Sequence, residues 1–487
     1  MSDNGLRTTA PEGLYADFRR VARGAPDAPA VIGYDGRAST YEALLTAVDA
    51  AADRLAARFV DGDVLGLAAD DPFTFVALYL AAAKLDLVVV LLDSRLPEPE
   101  VDRHAAKYDL SWLAVDDAAG AFALRPLPDA DLRRHRASTG YAPDDFVVHC
   151  TSGSTGEPKG IVMSQAAISA RVRLWGGELE LTAADVVLCA LPLSHCHGID
   201  VLTLPTLLAG GTVVFARGGR LTGRGLTRLV ERHGVTVMSG LPVMYQMLTA
   251  AHGAPTDALR TLRTAISGSA PLATSTQEQF GSRYGLPLRQ VYGLSEIGVI
   301  CYDKDYVGGG SIGKPIAGVE WKLEPVPGEE ELHELYVRGP ALARGYYRDP
   351  VASAHMFQDG WLRTRDFVST TPEGWHVRGR QSGFINVAGS KVGALEVEAA
   401  VRECPGVLEV AVVGVPDPAS TERVAALLVA EAGFELGPVK RRLAESLLPH
   451  QLPQRYEVVP ALPRTPLGKI DYAAVKRLMT GNEVAAR

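Results

Sequence analysis

Short apolar runs alternate with longer amphipathic ones through most of this chain. The runs at 64–69, Leu87–Leu92, Phe146–Cys150, 185–193, 211–216, 235–240 and 262–268 are rich in valine, leucine and isoleucine. Their length and β-branched content predict strands, and the spacing between them predicts helices, as in βαβ units with mostly parallel sheets. PFTFVALYLAAAKL, beginning at Pro72, predicts one such helix. Another should begin at STYE, where Ser39 and Glu42 have the spacing of a capping box.

Past about residue 305 the texture changes. VGGGSIGKPIAG, PVPGEEELHELYVRG and GWLRTRDFVSTTPEGWHVRGR set closely spaced turns between short strands, as in antiparallel sheet. After Arg380 a smaller α+β pattern follows, with a helix expected near Gly437–Leu448. The expected fold is α/β. A large N-terminal domain, residues 1–381, combines mostly parallel sheets with a small antiparallel barrel-like part. A small mobile α+β C-terminal domain, residues 382–487, completes the chain.

At 487 residues the chain exceeds one ordinary core, which agrees with two domains. With 47% hydrophobic and 22% charged residues it reads as globular rather than disordered. The net charge of −8 argues against nucleic acid as a partner. Five scattered cysteines without a C-x-x-C pair argue against a disulfide framework and against a cysteine-rich zinc site. The first residues lack the apolar stretch of a signal peptide. The longest apolar runs fall well short of the ~18 residues that suggest a membrane span. A reduced, cytoplasmic location is the expectation.

The stretch CTSGSTGEPKG at Cys150–Gly160 cannot contribute to a core, and it follows the strand-like FVVHC. Two readings fit: a slack connector, or a loop shaped around an anion. Gly153 and Gly156 would free backbone N–H groups, Ser152, Ser154 and Thr155 would add hydroxyls, and Lys159 a point charge. The P-loop pattern fails, because Pro158 stands where its second glycine belongs and Gly160 replaces the hydroxyl residue after the lysine.

TSGSTGEPKG resembles the phosphate loop of the adenylate-forming superfamily, which comprises acyl- and aryl-CoA ligases, peptide-synthetase adenylation domains and luciferase. Four further segments match that family in order: LPLSHCHG from Leu191, VYGLSE from Val291, GWLRTRDF with GRQSGFINVAGSKV from Gly360, and RTPLGKID from Arg464. The resemblance implies activation of a small carboxylic acid by Mg-ATP to an acyl-adenylate and pyrophosphate. A thiol, coenzyme A or the phosphopantetheine of an acyl carrier protein, then displaces AMP. Attack of a carboxylate on a phosphate gathers negative charge, so catalysis should rest on positioning and neutralisation.

Carried over residue by residue, the resemblance assigns Thr151–Gly156 and Lys159 to the phosphates. It assigns Tyr292 and Gly293 to the adenine, Ser295 to the phosphates, Glu296 with Thr155 to Mg²⁺, Asp366 to the ribose, and Arg380 to the ribose or a phosphate. Lys469 matches the adenylation lysine, which would bridge carboxylate and α-phosphate. Ser382 occupies the hinge position, and Gly389 the approach of the acceptor thiol. His197, Gly240, Ser267 and Gly268 fall on segments that build the acyl pocket, with His197 also counted in the catalytic set. Two departures stand out: Arg365 replaces a usual glycine, and Ser382 replaces a usual acid or lysine.

His195, Cys196 and His197 invite a metal reading, but no third or fourth ligand lies at suitable spacing, so a pocket wall is preferred. Asp200 has two readings: an acid gripping a substrate amine, or an acid favoured at a helix start. The second is preferred, and gives Asp200 a stability role of about 0.3–1 kcal/mol. Rival functions are transfer of the adenylate to an amine, forming an amide or N–N bond, and a non-catalytic nucleotide binder.

Overall fold

The computed structural model describes residues 13–117, 121–128, 134–151, 159–217, 221–251, 253, 255–326, 329–380, 384–387, 390–417, 420–464 and 470–481. Among these, the strands form sheets of nine, seven, five and five members. Strands Pro29–Ile32, Thr212–Phe215, Val186–Cys189, Val237–Gly240, Thr264–Ser267 and Leu288–Leu294 run parallel in the nine-stranded sheet. Asp145–Thr151, Val88–Leu91, Val64–Leu67 and Trp112–Asp116 run parallel in the seven-stranded one. Inner strands such as Val88–Leu91 and Thr212–Phe215 are buried at every residue and read as near-continuous apolar runs because both faces are covered.

The covering is supplied by helices such as Pro72–Lys84, in which all but two residues are buried. A helix apolar on all sides belongs inside a large core. One buried cluster joins its Leu78 to Val89 and Val147 of one large sheet and to Val187 and Val213 of the other. Asp71 caps this helix, accepting from the Thr74 amide at 2.9 Å.

The expected capping box at Ser39 is displaced by one residue. Ser39 pairs with Val31 in a strand. Thr40 is the cap of helix Tyr41–Ala56, accepting from the Ala43 amide at 3.2 Å. The edge strand claims Ser39 first, and the neighbouring hydroxyl serves equally well.

The region past residue 305 is antiparallel, as its turns predict. Glu320–Val326, Glu329–Arg338, Trp361–Thr370 and Trp375–Arg380 pair in succession. In the C-terminal part, Val407–Asp417 pairs antiparallel with Thr421–Ala430, to which Arg455–Val458 adds in parallel. Helix Leu436–Ser446 stands where the pattern placed it.

Candidate active site

Strand Leu288–Leu294 ends the parallel run and turns back antiparallel into Gly298–Tyr302. Gly293 lies so close to this return that a Cβ there would stand 2.3 Å from the Gly298 carbonyl oxygen. Only glycine permits that approach, and it presents Tyr292 at the sheet end. The Tyr292 hydroxyl donates to Asp366 Oδ2 at 2.6 Å, although 74 positions separate them. Asp366 is buried and lies in register with Arg380, so strand pairing gathers Tyr292, Asp366 and the Arg380 backbone. The Arg365 departure is visible here: its φ is +60°, inside a register shift of strand Trp361–Thr370. The glycine usual at this position suits that backbone. Thr364 Oγ1 accepts from the Asp366 amide at 3.1 Å and donates to the Leu335 carbonyl at 2.7 Å, fixing the bulge.

Lys159 opens strand Lys159–Ser164, against which Gly345–Tyr346 pairs. This brings in Tyr346, which sequence reasoning missed because nothing local in GYY marks it. The Lys159 ammonium lies 5.0 Å from the Tyr346 ring centre, and the Tyr346 hydroxyl donates to Glu296 Oε1 at 2.7 Å. One tyrosine thus links the lysine to the acid.

His195, Cys196, His197, Ser269 and Tyr292 line a cleft of about 910 Å³ that also reaches Asp366. His197 is buried, with Nδ1 2.8 Å from Ser269 Oγ and Nε2 2.9 Å from Ser239 Oγ. Ser269 takes φ +62°, which turns it toward this cleft edge. Cys196 Sγ lies 3.3 Å from Ser295 Oγ. Of the sequence-derived pocket residues, His197 lines the cleft, whereas Gly240, Ser267 and Gly268 are not among its lining residues. A Cβ on Gly268 would stand 3.6 Å from the His197 ring, and one on Gly240 2.5 Å from Met244 Sδ. Among the described residues, no group of three or more His, Cys, Asp or Glu is gathered as metal ligands.

Residues 18–347 match the AMP-binding enzyme family, and residues 396–469 match the AMP-binding enzyme C-terminal domain. The chain belongs to the AMP-binding enzyme family. It is 31% identical over 495 residues to a feruloyl-CoA synthase of Amycolatopsis sp, spanning 96% of this chain and 99% of that protein. The amide bond synthetase McbA from Marinactinospora thermotolerans superposes with a TM-score of 0.81 at 26% identity, covering 96% of this chain and all of McbA. ATP-bound MatB from Rhodopseudomonas palustris superposes at 0.85 with 24% identity over 95% of this chain and 98% of MatB, a likeness of fold.

Asp200 stands in the first turn of a helix, as the sequence places it, but its burial and partners go beyond a helix-start role. In this AMP-binding enzyme it is wholly buried inside a π-helical turn, His197–Thr203. Arg171 Nη1 donates to its Oδ2 at 2.7 Å, and His149 Nε2 lies 3.0 Å from the same oxygen. Burial pulls its carboxyl upward, but His149 and Arg171 together hold it below the ordinary carboxylate range.

The cleft continues to Leu395, Arg402 and His450 of the C-terminal part. There Glu398 is buried, accepting from the Val412 amide at 2.9 Å and from the Tyr472 hydroxyl at 2.9 Å. Burial pushes its carboxyl up to about 7, against the Val412 amide, Arg402 and Tyr472. Ser152, Gly153, Ser154, Thr155, Gly156, Ser382, Gly389 and Lys469 lie outside the described residues, as do the side chains of Thr151 and Arg380. Among the described residues, no helix is long and apolar enough to cross a membrane.

Proposed function

We propose that this AMP-binding enzyme activates a small carboxylic acid with ATP and passes the acyl group to a thiol, coenzyme A first among them. The observation that carries the reading is the single cleft joining the His197 wall to Tyr292 and Asp366. One face suits an acyl group and the other a nucleoside, so the two reactants meet at their junction. The acid's carboxylate oxygen attacks the α-phosphorus, the bond to the bridging oxygen breaks, and pyrophosphate leaves with that electron pair. The thiolate then displaces AMP from the acyl carbon.

Tyr292 would face the adenine, Asp366 would take the ribose hydroxyls, Arg380 would contact the ribose or a phosphate, and Lys159 with Thr151–Gly156 and Ser295 would face the phosphates. Mg²⁺ fits the donors present, since this ion is commonly held by one or two carboxylates plus substrate phosphates. Glu296 would hold it with Thr155, oriented by the Tyr346 hydroxyl, and the bound ion would supply charge neutralisation. Lys469, on a domain spanning 382–487 and hinged at Ser382, would bridge the two anions, and Gly389 would line the thiol's approach. All five cysteines are free thiols, which supports a reducing, cytoplasmic setting.

The likeness to an amide bond synthetase over nearly the whole chain supports a second acceptor class, an amine. A carrier-protein phosphopantetheine is the other thiol. The test is pyrophosphate release across aryl, fatty, amino and small oxyacids, followed by product mass with coenzyme A, a loaded carrier protein and amines. Acid-dependent pyrophosphate with an acyl thioester product is expected. Pyrophosphate release that no acid stimulates would overturn the reading.

A further inference from the structure

Three segments of the cleft converge on one buried charge cluster. His149 sits two residues before Thr151, on strand Asp145–Thr151. Asp200 sits three residues after His197, in the turn that forms the acyl wall. Arg171, on helix Gln165–Glu178, touches Asp200 through Nη1 and donates from Nη2 to the Ser295 carbonyl at 2.9 Å. All three side chains are at most 3% exposed.

The surroundings are shaped for this guanidinium. A Cβ on Gly298 would stand 2.8 Å from Arg171 Nε, and Gly298 takes φ +87°, so the return after Glu296 is built against the arginine. Met163 Sδ lies 3.5 Å from Nη2. A π-helical turn is uncommon and concentrates at functional sites. Here it carries both a wall residue and the acid of the cluster. A planar fork bonding a carboxylate with one nitrogen and a carbonyl with another fixes both directions at once.

We propose that Arg171, charge-balanced by Asp200, whose same oxygen also faces His149, is a positioning residue that sets the Ser295–Glu296 segment against the 145–151 strand and the His197 wall. This rests on the reading of Glu296 and the loop as parts of the ATP site. The cluster touches no reactant. It fixes where the Glu296 segment lies relative to strand Asp145–Thr151, and misplacement of such a group by about 1 Å costs on the order of a hundredfold in rate.

The test uses the full-length chain. Arg171→Met with Asp200→Asn removes both charges together, which spares the fold the penalty of an unpaired buried ion. Arg171→Lys keeps the charge and loses the fork, and serves as the second variant should the double variant unfold. Both are compared with wild type for melting temperature, pyrophosphate-exchange kcat, magnesium demand, and hydrogen exchange over residues 291–302. Expected are melting within a few degrees of wild type, a fall in kcat on the order of ten- to a hundredfold, a raised magnesium demand, and faster hydrogen exchange over that segment. Wild-type kcat and magnesium demand in a folded variant would overturn the proposal. If wild type shows no acid-dependent exchange, the ATP-site reading fails. Hydrogen exchange then decides the strut alone, and unchanged protection in a folded variant overturns it.

Discussion

Two acids are equally buried in this protein and titrate in opposite directions. Asp200, in the large domain, is 0% exposed, and Glu398, in the small one, is 1% exposed. Asp200 has a guanidinium at 2.7 Å and an imidazole at 3.0 Å, which outweigh its burial and keep it ionised. Glu398 has an amide, a phenol and a guanidinium only at 3.6 Å, so burial wins and its carboxyl rises to about 7. Depth alone does not set charge: the nearest cation does. The large domain thus holds a fixed ionic strut beneath the cleft. The small domain holds an acid that gains or loses its proton near neutrality, and that acid anchors Tyr472, close in sequence to Lys469.

Removing one side of the strut should have the largest effect. Asp200→Ala leaves Arg171 buried and unpaired, at a cost of about 3–5 kcal/mol, read as a lowered denaturation midpoint. A change below about 1 kcal/mol would leave Asp200 with a helix-start contribution alone and contradict the strut.

Glu398 is tested by pH. Folded Glu398 keeps its proton to about pH 7, whereas an ordinary glutamate loses it near 4.5. The folded chain therefore binds more protons across that window, and stability falls as pH rises from about 4.5 to about 7. The loss is on the order of 3 kcal/mol, with no further change from this group above that window. Glu398→Gln should abolish the slope in denaturant midpoints measured across the same window. A slope that survives the substitution would assign it to another group.

Glu296 is half-buried, with the Tyr346 phenol as a hydrogen-bond donor. Tyr346→Phe keeps the ring under Lys159 and removes that bond, worth about 1.5 kcal/mol to a charged acceptor. Adenylation should slow roughly tenfold with little change in melting. Wild-type kinetics would remove Tyr346 from the site.

Arg365→Gly should have the smallest effect. It relieves a left-handed backbone at the cost of a looser unfolded chain, a net gain of up to ~1 kcal/mol. Asp366 should stay in place through Thr364. A lower melting temperature would show that the Arg365 side chain contributes more than its backbone costs.

The inner parallel strands, such as Val88–Leu91 and Thr212–Phe215, were legible because both of their faces are covered, which writes them as apolar runs. Tyr292 and Asp366 were legible as motif residues, and register explains why they meet. The strut was not. Asp200, Arg171 and His149 stand on three elements with no shared local pattern, and an acid at the head of a helical run looks the same in sequence whether its partner is a dipole or a buried arginine. Tyr346 was hidden likewise, since strand pairing across nearly two hundred residues brings it to Glu296. The capping error at Ser39 was of another kind, a choice between adjacent hydroxyls made by strand pairing.

The central claim is that a carboxylate oxygen attacks the α-phosphate. The direct measurement uses the acid that gives the largest pyrophosphate release, labelled with ¹⁸O in both carboxyl oxygens, together with ATP and the acceptor. Mass spectrometry of the products should find AMP carrying one ¹⁸O and unlabelled pyrophosphate. ADP with the label in inorganic phosphate, or AMP without label, would contradict it.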